Sequence, residues 1–195
     1  MIDPVHYFSD DHPHVLDEEY YKGLMKLYVP GYLPHNDYSP LIPFVKYDGH
    51  KGNTMRFFVP NKFNGWNTYI RFTEWYEVLN DREYNSVESA RLLLWGANLQ
   101  LHCGCPAFLF YGHEYVLTQI DAAIVPEDRF PTIRNPNLKG GLCKHLIRTL
   151  KVVPFHLGDM ARVIKEQRDE IDKGEVDPTT HAPVEPEGPE PLPEA

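Results

Sequence analysis

Cysteine is scarce, with three residues in a chain of 195. Three thiols cannot all pair within one chain, so a disulfide framework of the secreted kind is excluded and folding in a reducing compartment is expected. Long apolar runs are also missing. Leu92 to Trp95 and Ala107 to Tyr111 fall far short of the roughly 18 residues a membrane span needs. The opening MIDPVHYFSDDHPH has acids and prolines where a secretory leader carries a basic start and an apolar stretch, which argues against export. Charge of one sign is absent in two places. Glu175 to Ala195 holds six acids and no Lys or Arg, so most of the formal charge of −9 belongs to that tail. Arg129 to Leu157 holds no Asp or Glu, yet contains Arg129, Arg134, Lys139, Lys144, Arg148 and Lys151. No phosphate-binding loop, nucleophile elbow or carboxylate pair stands out, so nothing points to an enzyme or a small-molecule substrate.

What is present is material for one core: 42% apolar residues and 13% aromatics. The pattern predicts an N-terminal arm over 1–14, a single α+β domain over 15–173, and an acidic Pro-rich tail over 174–195. Leu16, Tyr20, Leu24 and Tyr28 predict a short helix closed by Pro30, with a proline-rich loop to Pro43. Phe44 to Tyr47 and Thr54 to Val59 predict a hairpin with a long connection over 48–53, and Thr68 to Trp75 a third strand, giving a small antiparallel sheet. Ser86 is read as the cap of a helix stopped by Gly96, followed by a fourth strand from Asn98 to His102. The run AFLFYGHEYVLTQIDAAI is read as one helix packed on the sheet. After the loop 125–141, Leu142, Leu146, Leu150 and Val153 mark a helix closed by Pro154, and Leu157 to Lys173 a last amphipathic helix with Met160, Val163, Ile164 and Ile171 on one side. The tail buries almost nothing and is expected to be extended when alone.

All three cysteines fall into one pattern: Cys103-Gly104-Cys105, a 37-residue spacer, then Cys143-Lys144-His145. Three thiolates and one imidazole form a common structural zinc set, and four protein ligands leave no open position for catalysis. Gly104 is expected to let the backbone turn between two ligands, with Pro106 stiffening the exit. Cys143 and His145 cannot share one helix face. They are expected to straddle a helix start, Cys143 on the loop and His145 in the first turn, where the helix dipole and Lys144 offset thiolate charge. The bland alternative, buried free cysteines beside an ordinary histidine, is disfavoured because chance seldom puts every cysteine into C-x-C and C-x-H.

At these residues the chain resembles the SWIM zinc finger family, whose pattern is C-x-C, a spacer and C-x-H. The resemblance implies structural Zn2+ at Cys103, Cys105, Cys143 and His145, in a SWIM-like site spanning 98–156, with a role in nucleic-acid or protein binding. The spacer is longer than the family usually shows. The run ARLLLWGANLQLHCGCPAFLFYG together with PEDRFPTIRNPNLKGGLCKHLIRTLKVVPFH, covering roughly Ser86 to His156, resembles virion structural proteins of tailed bacteriophages. That resemblance implies a non-enzymatic component of the head, neck or tail, made in the host cytoplasm, present in multiple copies and bound to other virion proteins.

The alternative is a SWIM-type nucleic-acid-binding protein that uses the basic residues of 129–151 to hold phosphates. The acidic chain as a whole speaks against it. Tyr69, Phe72, Trp75 and Tyr76 have the chemistry of a base-stacking platform, but core packing accounts for them more simply. His102 adjoins a ligand, and His113 and Glu114 lie in the spacer. Hydrogen-bonded core histidines are the plainer reading there.

Overall fold

The computed structural model describes residues 44–60, 64–138 and 142–174, with Val176. The predicted N-terminal arm, the helix over Leu16–Tyr28, the proline-rich loop and the acidic tail beyond Val176 lie outside these residues, as does Lys139. Four strands, β1 (Lys46–Lys51), β2 (Thr54–Pro60), β3 (Gly65–Phe72) and β4 (Leu99–Cys103), form one antiparallel sheet in the order β1-β2-β3-β4. Among the described residues six α-helices accompany them: α1 (Trp75–Asn80), α2 (Ser86–Gly96), α3 (Pro106–Phe110), α4 (His113–Thr118), α5 (Lys144–Leu150) and α6 (Leu157–Asp172). A 3-10 turn, Val153–His156, joins the last two. The α+β expectation holds.

Alternation along the strands sorts the side chains. Met55, Phe57, Ile70, Phe72, Leu99, Leu101 and Cys103 share one face and are almost wholly buried. α1, α2, α5 and α6 supply the opposing layer, with Trp75, Leu79, Leu93, Leu146, Met160 and Ile164 in the same core. On the other face, Tyr69 and His102 pair across β3 and β4, and Phe108 of α3 meets the His102 ring edge-on at 5.6 Å. The helices α3 and α4 therefore cover the β4 side of the sheet face that the main core leaves open.

Several predicted boundaries move. The hairpin has a tight Gly52-Asn53 turn, not a long connection, because β1 continues through His50 to pair Lys51 with Thr54. The intervening glycines allow this: Gly49, with φ +118, sits where the register shifts, and Gly52, with φ +56, lies in the turn. The third strand stops at Phe72, and Trp75 opens α1 instead of extending the sheet. Asn85, not Ser86, caps α2. Its side chain accepts from Val87 and Glu88 N–H while Glu88 bonds back to Asn85 N–H, and Gly96 is the last helical residue. The spacer run is two short helices, broken at Gly112, whose φ of +72 ends α3 and starts α4. Ala122 to Ile124 then lies beside β4, with a parallel bridge from Ala123 to Leu101. Pro154 does not close a helix but sits inside the 3-10 turn. The last helix ends within one residue of its expected bound.

Arg168 of α6 ties the helical layer together. Its guanidinium donates to the carbonyls of Val78, Leu79, Asp81 and Tyr84 and to Ser89 Oγ. Placed at the C-terminal end of α1, it meets the negative end of that helix's dipole.

Candidate metal centre

Cys103, Cys105, Cys143 and His145 converge as the sequence predicts. Their ligand atoms all lie within 4.8 Å of one another and all four side chains are buried. Among the described residues no other group of three or more His, Cys, Asp or Glu gathers in this way.

The ligands come from a strand end, two helix caps and the first turn of a helix. Cys103 ends β4, opposite Thr68 of β3, so its position is fixed by the ladder. Cys105 caps α3, with φ −78 and ψ 146, and its sulfur accepts from Phe108 N–H at 3.3 Å while Pro106 occupies the first helical position. Cys143 caps α5 with φ −78 and ψ 161, and His145 lies in the first turn. His145 turns Nδ1 to the cluster, 4.0 Å from the sulfurs of both Cys103 and Cys143. Behind it, Thr149 Oγ1 donates to the His145 carbonyl and lies 2.8 Å from Thr68 Oγ1, which pins α5 to β3.

Gly104 behaves differently from expectation. Its φ is not in the left-handed region, a Cβ there would meet nothing within 4 Å, and its N–H donates to the Asn67 carbonyl. The path between Cys103 and Cys105 is set by that bond and by the cap, not by glycine's conformational freedom.

The donor set fits a four-coordinate metal ion. Thiolate and imidazole bonds of about 2.0 to 2.3 Å place ligand atoms about 3.6 to 3.8 Å apart in a tetrahedron, so the observed spacing closes with small side-chain adjustments. The electrostatics agree. Burial, then the neighbouring sulfurs of Cys105 and Cys143, push the Cys103 thiol well above its usual range, and burial pushes Cys105 up too. Burial also opposes ionisation of Cys143. It is outweighed by the neighbouring Cys103 and Cys105 thiols and by the backbone N–H groups of Leu146 and His145 at the helix start, which draw that thiol well down. One thiolate is stabilised by the helix start and its neighbours resist. A cation at the centre would allow all three to ionise together.

His102 does not join the cluster. Its Nδ1 lies 3.1 Å from Glu114 Oε1 in a buried pair that links β4 to α4, as the plainer reading of these residues expects. Of the aromatic quartet, Phe72 and Trp75 lie in the core, Tyr69 is buried against His102, and Tyr76 is partly buried against the core.

The basic residues described differ in their surroundings. Arg129 is held by Glu127 through a bidentate contact as short as 2.6 Å, so the apparent absence of acids in its segment is reversed by the residue two positions before it. Arg134 lies over the Tyr111 ring, 5.7 Å from its centroid. Arg148 is half-buried and Lys151 exposed at the two ends of one helical turn, and Lys144 adjoins the ligands.

Comparison with known protein families, with curated proteins and with solved structures finds no match for this chain. No helix among the described residues is long and apolar enough to cross a membrane.

Proposed function

We propose that this is a non-enzymatic, zinc-stabilised structural protein, a component of the head, neck or tail of a tailed bacteriophage particle, with a SWIM-type site at its centre. The buried Cys103–Cys105–Cys143–His145 cluster carries the zinc part of the reading. Three thiolates and an imidazole are the donors Zn2+ prefers in structural sites, and four protein ligands close its coordination sphere. Zinc would be held by these four side chains and would supply cross-linking, joining the end of β4 to the starts of α3 and α5. Binding of this kind contributes on the order of 10 kcal/mol at neutral pH.

The particle role draws on the resemblance of residues 86–156 and on the acidic, Pro-rich composition of 174–195. A Pro-rich, acidic tail ordered on a neighbour joins subunits without a deep core in each. Mass spectrometry of purified particles tests this reading: the protein is expected in multiple copies per particle, and its absence from them would sink the assignment.

The rival reading is nucleic-acid binding through the basic residues of 129–151. Among the described residues it would draw on Arg134, Lys144, Arg148 and Lys151, since Arg129 already has its carboxylate. Binding to DNA that weakens steeply with salt would support it, and no binding at low salt would dismiss it.

A further inference from the structure

The loop over 125–138 runs back along α3 and α4, and three contacts tie it there. Arg134 lies over Tyr111, and Phe130 meets Tyr115 edge-on at 5.5 Å. Pro131 sits so close over Gly112 that a Cβ on that glycine would be 2.4 Å from Pro131 Cγ. The surface so built leaves large apolar groups in solvent: Phe110 is 62% exposed, Phe130 46% and Ile133 88%. Apolar exposure of this density beside a cation marks an interaction site more often than an ordinary surface. Among the described residues Arg134 has the ring of Tyr111 beneath it and no carboxylate within ion-pair distance.

The tail has the complementary chemistry. Pro183, Pro186 and Pro189 recur every third residue, the period of a polyproline II helix, which places them along one edge of such a helix. Glu185, Glu187, Glu190 and Glu194 are interspersed, without any Lys or Arg. Segments of this kind dock on aromatic shelves because their backbone is already extended, so little entropy is lost, and an arginine at the rim receives their carboxylates.

We propose that the segment Pro183–Pro193 of a second copy of this chain docks in polyproline II form on the surface formed by Phe110, Tyr111, Tyr115, Phe130, Ile133 and Arg134. The inference rests on the subunit-joining role argued above. The source is a second copy because α6, from which the tail departs, lies on the core face of the sheet, where Asp172 bonds Arg82. The docking surface lies on α3 and α4, whose packing partners are β4 and each other, whereas α6 packs on α1 and α2.

Complementation between two full-length, metal-loaded variants tests this. One carries Phe130→Ala and Arg134→Glu, with the tail intact. The other carries Pro183→Ala, Pro186→Ala and Pro189→Ala, with the surface intact. The wild-type chain is expected to self-associate in sedimentation velocity, and each variant alone to associate at least tenfold more weakly. An equimolar mixture of the two is expected to recover a one-to-one pair. Circular dichroism matching the wild type checks that both variants fold. Self-association that persists in both variants, or a mixture that does not pair, overturns the docking. The first of these outcomes leaves the particle assignment standing, since that assignment fails on a different result, absence of the protein from particles.

Discussion

Cys105 and Cys143 occupy the same structural post on opposite sides of the spacer. Each is the N-cap of a short helix, with φ −78 in both and ψ 146 and 161, and each turns its sulfur to the same point. Helices of five and seven residues are too short to be stable alone. A metal bound at this centre would hold together two elements that local propensity does not.

The first expectation concerns the support behind His145. Thr149 Oγ1 donates to the His145 carbonyl, which leaves the Thr68 hydroxyl to donate to Thr149 across 2.8 Å. Thr149→Val leaves the Thr68 hydroxyl with only its longer bond to the Phe57 carbonyl, at 3.4 Å, and is expected to cost about 1 kcal/mol in urea unfolding of the metal-loaded chain, while Thr149→Ser costs less. The Thr68→Val/Thr149→Val pair is expected to cost less than the sum of the single changes, because both ends of the interaction are then removed.

Two glycines should respond in opposite ways. Gly104→Ala meets open space at an ordinary φ and is expected to change stability by no more than about 0.5 kcal/mol. Gly112→Ala combines a φ of +72 with a Cβ driven into Pro131, and a loss of roughly 2 kcal/mol or more is expected. Paired thermal melts distinguish them, and equal Tm values for the two variants would contradict this account of the spacer.

Arg168 is the third case. Arg168→Met leaves the carbonyls of Val78, Leu79, Asp81 and Tyr84 without their donor and is expected to cost roughly 3 kcal/mol or more in denaturant unfolding. Arg168→Lys recovers only part of this, because one ammonium cannot span the positions that the planar fork reaches.

His50 gives a pH dependence. Both its ring nitrogens are closed off from solvent, the ring lies tilted against Trp75 with centroids 4.5 Å apart, and burial with help from Arg162 draws its pKa down to about 3. The folded chain therefore refuses a proton that the unfolded chain accepts near pH 6.5. The stabilisation is present above that pH and is lost as pH falls toward 3, with a slope of up to about 1.4 kcal/mol per pH unit. Subtracting the profile of His50→Phe from that of the wild type isolates this contribution, since acid release of metal is common to both chains. Parallel profiles would contradict it.

Legibility in the sequence followed the range of the interactions. The metal ligands could be read because every cysteine fell into one pattern, and α6 because Met160, Val163 and Ile164 repeat at helical spacing over 16 residues. Trp75 was misplaced because a β-prone run leads directly into it, while its role is set by Gln167, whose Oε1 accepts from the indole N–H at 2.7 Å from far along the chain. Arg168 carries no local signal at all, since its acceptors lie 79 to 90 positions away. The break at Gly112 was masked by the apolar residues on both sides of it. The pairing of Arg129 with Glu127 could not be read from a segment counted from residue 129, because its acid lies two positions before that start.

The central claim is that one zinc ion fuses the end of β4 to the starts of α3 and α5. Its most direct measurement is native mass spectrometry combined with circular dichroism of the full-length chain before and after chelation, alongside Cys143→Ser. One zinc per chain is expected in the wild type, with loss of helical signal and of the cooperative melt on chelation, and little or no zinc in Cys143→Ser. A chelated chain that keeps its helical signal and its Tm, or a Cys143→Ser chain that still retains one zinc, would contradict the account.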